Sequence, residues 1–549
     1  MTGSRGLMRL LGALLVVNSL LMVPHWILEG GLGPRWFALE AWFLVALSAL
    51  LPRSLWSRVL AWVAATLLVA TLLVDLGDVA ARKSLARPLN LYLDIHLVSA
   101  VRHLLEGTLG VLGAAVVFLV GIGALFAAVW GVARLLTPPE DRLTWARLRA
   151  GAGAARLRAG AAATLLAFAA VGVAGDSAPD VVETRVALPV IRTAVEQSRS
   201  MGEMLEERER FEAALAGSPS SYRDRDGLLA GLGGRDVTLA FVESYGMSAL
   251  EDPRYAPVLR PRLEAMEAAL DSVGLTLATG RLLAPSQGGQ SWFGHGSMLS
   301  GLWLDNQLRY DLLLASDRET LVDDFEHAGY RTAAIMPAIT LAWPEGTMLG
   351  YDAIYDRDRI DYGGPPLNWV TMPDQFTWSF LERRVRPEAG GRPLFAELGL
   401  ISSHAPWTPI LPVLDDWDGV GDGRVFERWA DAGETPRELW SDADRVREHY
   451  ARSVEYAVHV AQSYAVRYVG DEELLVILGD HQPAPLITGD GASRAVPVHV
   501  VSGDPELIRP FLTWGFQPGA FPPNTPPSPE RPLRRMDDFR SWFVEAFSP

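Results

Sequence analysis

The chain has 549 residues, a formal net charge of −16, a hydrophobic fraction of 49% and no cysteine. The missing cysteines exclude a disulfide framework, a zinc–thiolate site and a cysteine nucleophile, and the acidic balance argues against nucleic acid as a partner. The length accommodates a membrane part and one large soluble domain.

Apolar residues crowd the first third of the chain. Five stretches approach the roughly 20 residues a helix needs to cross a bilayer: 7–27, 36–51, 56–75, 109–133 and 159–175. Arginines flank them unevenly. Arg5, Arg9, Arg53, Arg58 and a dense group from Arg134 to Arg158 fall on one side, and a sparser set from Arg35 to Arg102 on the other. The positive-inside rule then places the N-terminus in the cytoplasm and everything after about residue 176 outside the cytoplasmic membrane. The amphipathic segment 88–107 suits the membrane interface or an extramembrane helix.

Residues 177–234 read as a connector, a charged helix followed by a Gly- and Ser-rich break. From residue 235 onward, short apolar strands alternate with helical stretches. Strands are expected at 236–244, 330–337, 393–403, 473–480 and 496–503, and helices at 255–272, 317–328 and 444–469. This alternation predicts an α/β outer domain, a mostly parallel sheet sandwiched by helices. The expected organisation is a transmembrane domain over 1–176, the connector, and a catalytic domain over 235–549 with a Pro-rich tail at 517–532. The acidic stretch 414–446 reads as a surface insertion, and "MDDFRSWFVEAF" as a short docking helix.

Ligands gather at the carboxyl ends of parallel strands, and three of the expected strands end in polar groups. Glu243 closes one, His404 follows another, and Asp480 with His481 closes a third. Each alone reads as a cap or a turn. Together in one sheet they point to a metal or acid–base site. His499 lies within a strand and reads as structural.

The stretch "APSQGGQSWFGHGSMLSGLWLD" adds a hydroxyl. Gly288 and Gly289 permit a tight turn, and a helix begins near Ser291. A serine at a helix N-terminus meets free N–H groups and the positive end of the dipole, which favours an ionising hydroxyl and a phosphoryl group. Ser297, Ser300 and His295 compete for the role. No G-x-S-x-G elbow is present, so a divalent metal would replace the activating base. A carboxylate, an Asp–His pair and a serine oxygen make a cage that Mn²⁺, Mg²⁺ or Zn²⁺ accepts.

Four motifs in this order, "VTLAFVESYG", "GGQSWFGHGSMLSG", "LISSHAPW" and "LLVILGDHQP", resemble the sulfatase-like branch of the alkaline phosphatase superfamily. The membrane part followed by an outward domain resembles its lipoteichoic acid synthase and phosphoglycerol transferase members. The resemblance implies one metal ion, Mn²⁺ first and Mg²⁺ or Zn²⁺ as alternatives, held by Glu243, Ser291, Asp480 and His481. It makes Ser291 the nucleophile where the family has threonine, His404 an active-site histidine, and Trp343 a substrate contact. Glu345 stands where the family carries a basic residue, which speaks against a glycerol-phosphate headgroup.

The expected activity is phosphotransfer from a phosphodiester, such as a phospholipid headgroup, to an envelope glycan or polymer. The alternatives are a hydrolase using the same residues and a non-enzymatic envelope protein on a retired catalytic fold.

Overall fold

A computed structural model describes residues 2–32, 36–95, 97–138, 186–217, 221–341, 343–524 and 533–549. The chain forms two compact units, Met1–Arg82 with Arg87–Glu206, and Lys83–Ala86 with Glu207–Pro549.

The first unit is helical: α1 (Thr2–Leu28), α2 (Leu39–Leu50), α3 (Leu55–Leu85), α4 (Leu97–Leu136) and most of α5 (Pro189–Leu215). Among the described residues three segments are long and apolar enough to cross a membrane, Met8–Leu28, Leu55–Leu85 and Leu109–Leu136. This corrects one of the five expected spans. Predicted span two is α2, whose 12 residues rise about 18 Å against a hydrocarbon core of about 30 Å. Predicted span five, 159–175, lies outside the described residues. Residues 97–107 are helical and join the third segment through a break at Gly110, where φ is 71°. Buried Glu40 accepts hydrogen bonds from the N–H groups of Val190 (3.1 Å) and Ile191 (3.4 Å), a negative charge on the first turn of α5.

The second unit is built on an eight-stranded sheet. In chain order the strands are β1 (Asp236–Val242), β2 (Thr276–Leu283), β3 (Arg331–Met336), β4 (Ala353–Asp356), β5 (Leu394–Leu400), β6 (Glu473–Gly479), β7 (Ala495–Ser502) and β8 (Gln517–Pro518). Their spatial order is β8-β2-β7-β6-β1-β5-β3-β4. Pairings from β6 to β4 are parallel, and those joining β8, β2, β7 and β6 are antiparallel. The sheet is therefore mixed, not mostly parallel. The reversal falls at the connection from β6 to β7, whose helix is only the four residues Pro485–Thr488.

Alternate residues of β1 feed two cores. Val237, Leu239 and Phe241 face one, and Ala240 and Val242 the other. Helices α6 (Ala256–Ser272) and α8 (Ala443–Tyr468) cover the second face, and the C-terminal helix α9 (Phe539–Phe547) covers the first. Helix α7 (Ser291–Ser300) follows β2. Strand β6 is buried along its whole length, as a central strand covered on both faces must be. Buried Arg540 of α9 pairs with buried Asp324 at 2.7 Å, which fixes the docking helix.

Candidate metal centre and nucleophile

Register brings the two strand ends together. Val242 of β1 pairs with Gly479 of β6 and with Leu400 of β5. The next residues, Glu243, Asp480 and Ile401, therefore emerge side by side at the carboxyl edge. Gly479 is required by a close approach. A Cβ there would lie 1.9 Å from the carbonyl oxygen of Tyr245, so β6 approaches the backbone beyond β1 as only glycine allows.

Glu243, Asp480 and His481 form one group whose ligand atoms lie within 4.8 Å of one another. Asp480 and His481 are buried. Oδ1 of Asp480 accepts from the N–H of Ser244 (2.7 Å) and of His481 (2.6 Å), which locks the carboxylate. Ser244 takes a left-handed φ of 56°, an uncommon state for a non-glycine residue and one that clusters at functional sites.

The imidazole of His481 defines the chemistry. Nδ1 lies 2.9 Å from the carbonyl oxygen of Gln482, an acceptor only, so Nδ1 carries the hydrogen. Nε2 is then the free nitrogen. It lies 3.3 Å from Oε1 of Glu243 and 3.6 Å from Oδ2 of Asp480, yet no hydrogen bond joins it to either. A buried lone pair facing two carboxylates is stable only with a cation among them. That cation is a proton or a metal, so the donor set fits a divalent ion with mixed nitrogen and oxygen ligands.

The charges respond accordingly. Burial disfavours the Glu243 carboxylate, but the facing His481, the nearby His404 and the Ser244 hydroxyl outweigh it and hold its pKa well below the usual range. Burial and the Glu243 charge push Asp480 up. Burial lowers His481, but Asp480 and Glu243 prevail and raise it to about 9.

Ser291 is the first residue of α7, after Gln290 in a left-handed φ of 62°. Its Oγ donates to Oε2 of Glu243 at 3.4 Å and also reaches the Asp480 carboxylate. Two contacts seat the helix. The N–H of Gly288 donates to the carbonyl of Gln482 at 2.8 Å. A Cβ at Gly294 would lie 2.7 Å from the carbonyl oxygen of Asp480, so α7 rests directly on the ligand strand. The serine hydroxyl thus faces the carboxylates at a helix N-terminus, with positive dipole behind it.

The competing residues are engaged in packing. Ser297 Oγ accepts from the N–H of Leu304, and Ser300 Oγ from that of Leu302. His295 stacks on Phe241 at 3.8 Å, and its Nδ1 meets buried Glu397 at 2.8 Å, while Tyr351 donates to the other Glu397 oxygen.

His404 is exposed beside the group, with Nδ1 2.6 Å from the carbonyl of Ala405, and its charge acts on Glu243. Its neighbour Ser403 donates to the Glu243 carbonyl at 2.6 Å. Trp343 packs against one face of the sheet core with its ring over Gly346, and does not belong to the Glu243–Asp480–His481 group. His499 is enclosed by Tyr245 and Thr279, each 3.0 Å away.

One residue had no signal in the sequence. Oδ1 of Asp374, fully buried, accepts from the N–H groups of Ile401 and Ser402, both at 2.8 Å, and the Asp374 N–H donates to Ser402 Oγ. Asp374 therefore shapes the turn that delivers His404, from 27 residues before Ile401 in the chain.

No protein-family model matches the chain, and no curated protein sequence matches it. Solved structures do. Lipoteichoic acid synthase LtaP from Listeria monocytogenes is similar at 14% identity and a TM-score of 0.34, over 50% of this chain and 67% of that one. The C-terminal periplasmic domain of EcEptC from Escherichia coli is similar at 14% and 0.34, over 57% and 82%. The Streptococcus pyogenes phosphoglycerol transferase GacH, in complex with sn-glycerol-1-phosphate, is similar at 13% and 0.34, over 55% and 74%.

Proposed function

We propose that this chain is a membrane-anchored, metal-dependent phosphotransferase acting on phosphodiesters, with its second unit on the outer side of the cytoplasmic membrane. One observation carries the reading: Ser291 Oγ, at a helix N-terminus, faces the same carboxylates that surround the bare Nε2 of His481.

Glu243, Asp480 and His481, with Ser291 Oγ as fourth donor, would hold Mn²⁺, or Mg²⁺ or Zn²⁺. Bound there, the ion would supply Lewis-acid stabilisation and lower the pKa of the serine hydroxyl. Ser291 Oγ passes its proton to the Glu243 carboxylate it already donates to and attacks phosphorus, and a phosphoserine ester forms as the bond to the leaving oxygen breaks; the proton returns when the serine oxygen is released. His404, exposed and adjacent, gives that oxygen its proton. It then takes a proton from the acceptor hydroxyl, which attacks the phosphoserine and releases the serine oxygen. The N-terminal N–H groups of α7 stabilise negative charge on the phosphoryl group in both steps. Trp343 would contact the part of the substrate away from phosphorus.

The test is to incubate the full-length protein in lipid nanodiscs with Mn²⁺, headgroup-labelled phospholipid and an envelope glycan acceptor. Label on the glycan supports transfer. Free headgroup assigns the hydrolase alternative. No release of label in either form, with metal bound, overturns the reading.

A further inference from the structure

Large apolar side chains are exposed unevenly on the second unit. From Glu207 to Pro549, among the described residues, they are Val273, Trp292, Leu341, Met348, Trp369, Trp440, Leu486 and Leu512. Single exposed apolar residues need no explanation. Their placement does. Five of the eight lie near the edge that carries Glu243, Ser291 and Asp480. Trp292, Leu341 and Leu486 come shortly after the carboxyl ends of β2, β3 and β6, and Trp369 and Trp440 are tied to the turn that follows His404. Val273 and Met348 lie shortly before the amino ends of β2 and β4, and Leu512 after β7.

The rim is held in place. Trp440 stacks on Trp407 with ring centres 5.7 Å apart, and its indole N–H donates to the carbonyl of Pro406. Asn368, beside Trp369, donates to the carbonyl of Thr408 at 2.6 Å. Both tryptophans are thereby fixed to the turn that follows His404. Leu341 is more than half exposed, at 58%.

We propose that this rim is a membrane-docking surface: Trp369, Trp440 and Leu341 enter the headgroup layer of the bilayer and hold the carboxyl edge of the sheet against it. The occupant is lipid because the same chain carries three segments of membrane-crossing length, so a bilayer surface is within reach wherever the protein resides. The side-chain type agrees. Three of the five are tryptophans, whose apolar body and polar N–H suit the interface. Side chains docked in this way enter about 5–10 Å. The inference rests on those segments crossing a membrane and not on the phosphotransfer chemistry.

The chain has no cysteine, so single-cysteine labelling needs no prior removal. Full-length Leu341→Cys and Trp369→Cys proteins, each carrying a bimane fluorophore, are reconstituted in phosphatidylcholine–phosphatidylglycerol vesicles with and without lipid bearing a doxyl quencher near the headgroup. Val273→Cys and Leu512→Cys serve as the off-edge sites. Docking predicts that the doxyl lipid dims both rim labels and leaves both off-edge labels unchanged. Equal dimming at all four sites indicates general adhesion and overturns the proposal. So does the absence of dimming at the rim. Rim labels that ignore the doxyl lipid but become shielded as the protein-to-lipid ratio rises would assign the rim to self-association instead. Turnover plays no part in this measurement, so it succeeds or fails apart from the assignment of Ser291.

Discussion

Nε2 of His481 lies 3.3 Å from Oε1 of Glu243 with no hydrogen bond between them. The same nitrogen lies 3.6 Å from Oδ2 of Asp480, so two carboxylates face one imidazole. With the cation site filled by a proton, the flanking carboxylates hold His481 at a pKa of about 9. A metal must then displace that proton. Metal affinity is therefore expected to rise about tenfold per pH unit from pH 6 to pH 8 and to flatten above about 9. The Asp480→Asn/His481→Ala double variant should contain no stoichiometric Mn²⁺ or Zn²⁺ by mass spectrometry. Unchanged metal content would place the metal elsewhere.

Ser291→Ala removes the hydroxyl and leaves the N–H groups of α7 in place. Turnover of a chromogenic phosphodiester should fall by about 10³-fold or more, as loss of a nucleophile does. Far-ultraviolet circular dichroism should be unchanged, and Ser291→Thr should restore part of the activity because the hydroxyl returns. Full activity in Ser291→Ala would remove the serine from the mechanism.

Asp374 orders the backbone just ahead of His404 through Ile401 and Ser402. Its Oδ2 is buried without a partner, and burial, reinforced by the charge of Glu243, raises its pKa to about 6. Asp374→Asn keeps one carbonyl oxygen for the same two N–H groups, whereas Asp374→Ala leaves both unsatisfied, at about 1–3 kcal/mol each. In Asp374→Ala, kcat should drop with metal affinity unchanged, and Asp374→Asn should recover most of it. Equal loss in both variants would mean that the carboxylate acts by charge, not by positioning the turn.

The strands that carry the site are legible in sequence because they are buried on both faces. Runs such as Leu474–Leu478 and Val237–Val242 admit few other readings. Strand β2 is hidden by Gly280 and Arg281 in its middle. Gly280 is required by the ring of Phe516, which a Cβ would approach to 2.3 Å, a contact that no local pattern encodes. The antiparallel sense of β7 was signalled by the helix-poor stretch 480–494, but burial alone does not give strand direction. Glu243, Ser291, Asp480 and His481 stand out as chemical types at strand and helix ends. Asp374 does not, because its role is created by backbone N–H groups that only the fold brings to it. Span counting fails where hydropathy ignores length, as at α2.

His499 offers a pH test of the layer behind the site. Thr279 Oγ1 donates to the carbonyl of Gly519, so it accepts from Nδ1–H of His499, and Nε2 accepts from the Tyr245 hydroxyl. Burial lowers the pKa of this imidazole to about 4, against 6.5 when unfolded. The unfolded chain therefore binds a proton that the folded one refuses between those values. Stability from this group is complete above about pH 6.5 and is lost as pH falls through about 4, a difference of ~3 kcal/mol at most. His499→Gln offers both hydrogen-bonding atoms without titrating. In chelator, its melting temperature should fall less steeply from pH 6.5 to pH 4.5 than that of the wild type. Parallel curves would show that acid sensitivity arises elsewhere. Tyr245 links this layer to the ligands, because its carbonyl oxygen is the atom against which Gly479 packs. Protonating His499 removes the acceptor of the Tyr245 hydroxyl, so metal affinity in the wild type should show an additional acid loss that His499→Gln lacks.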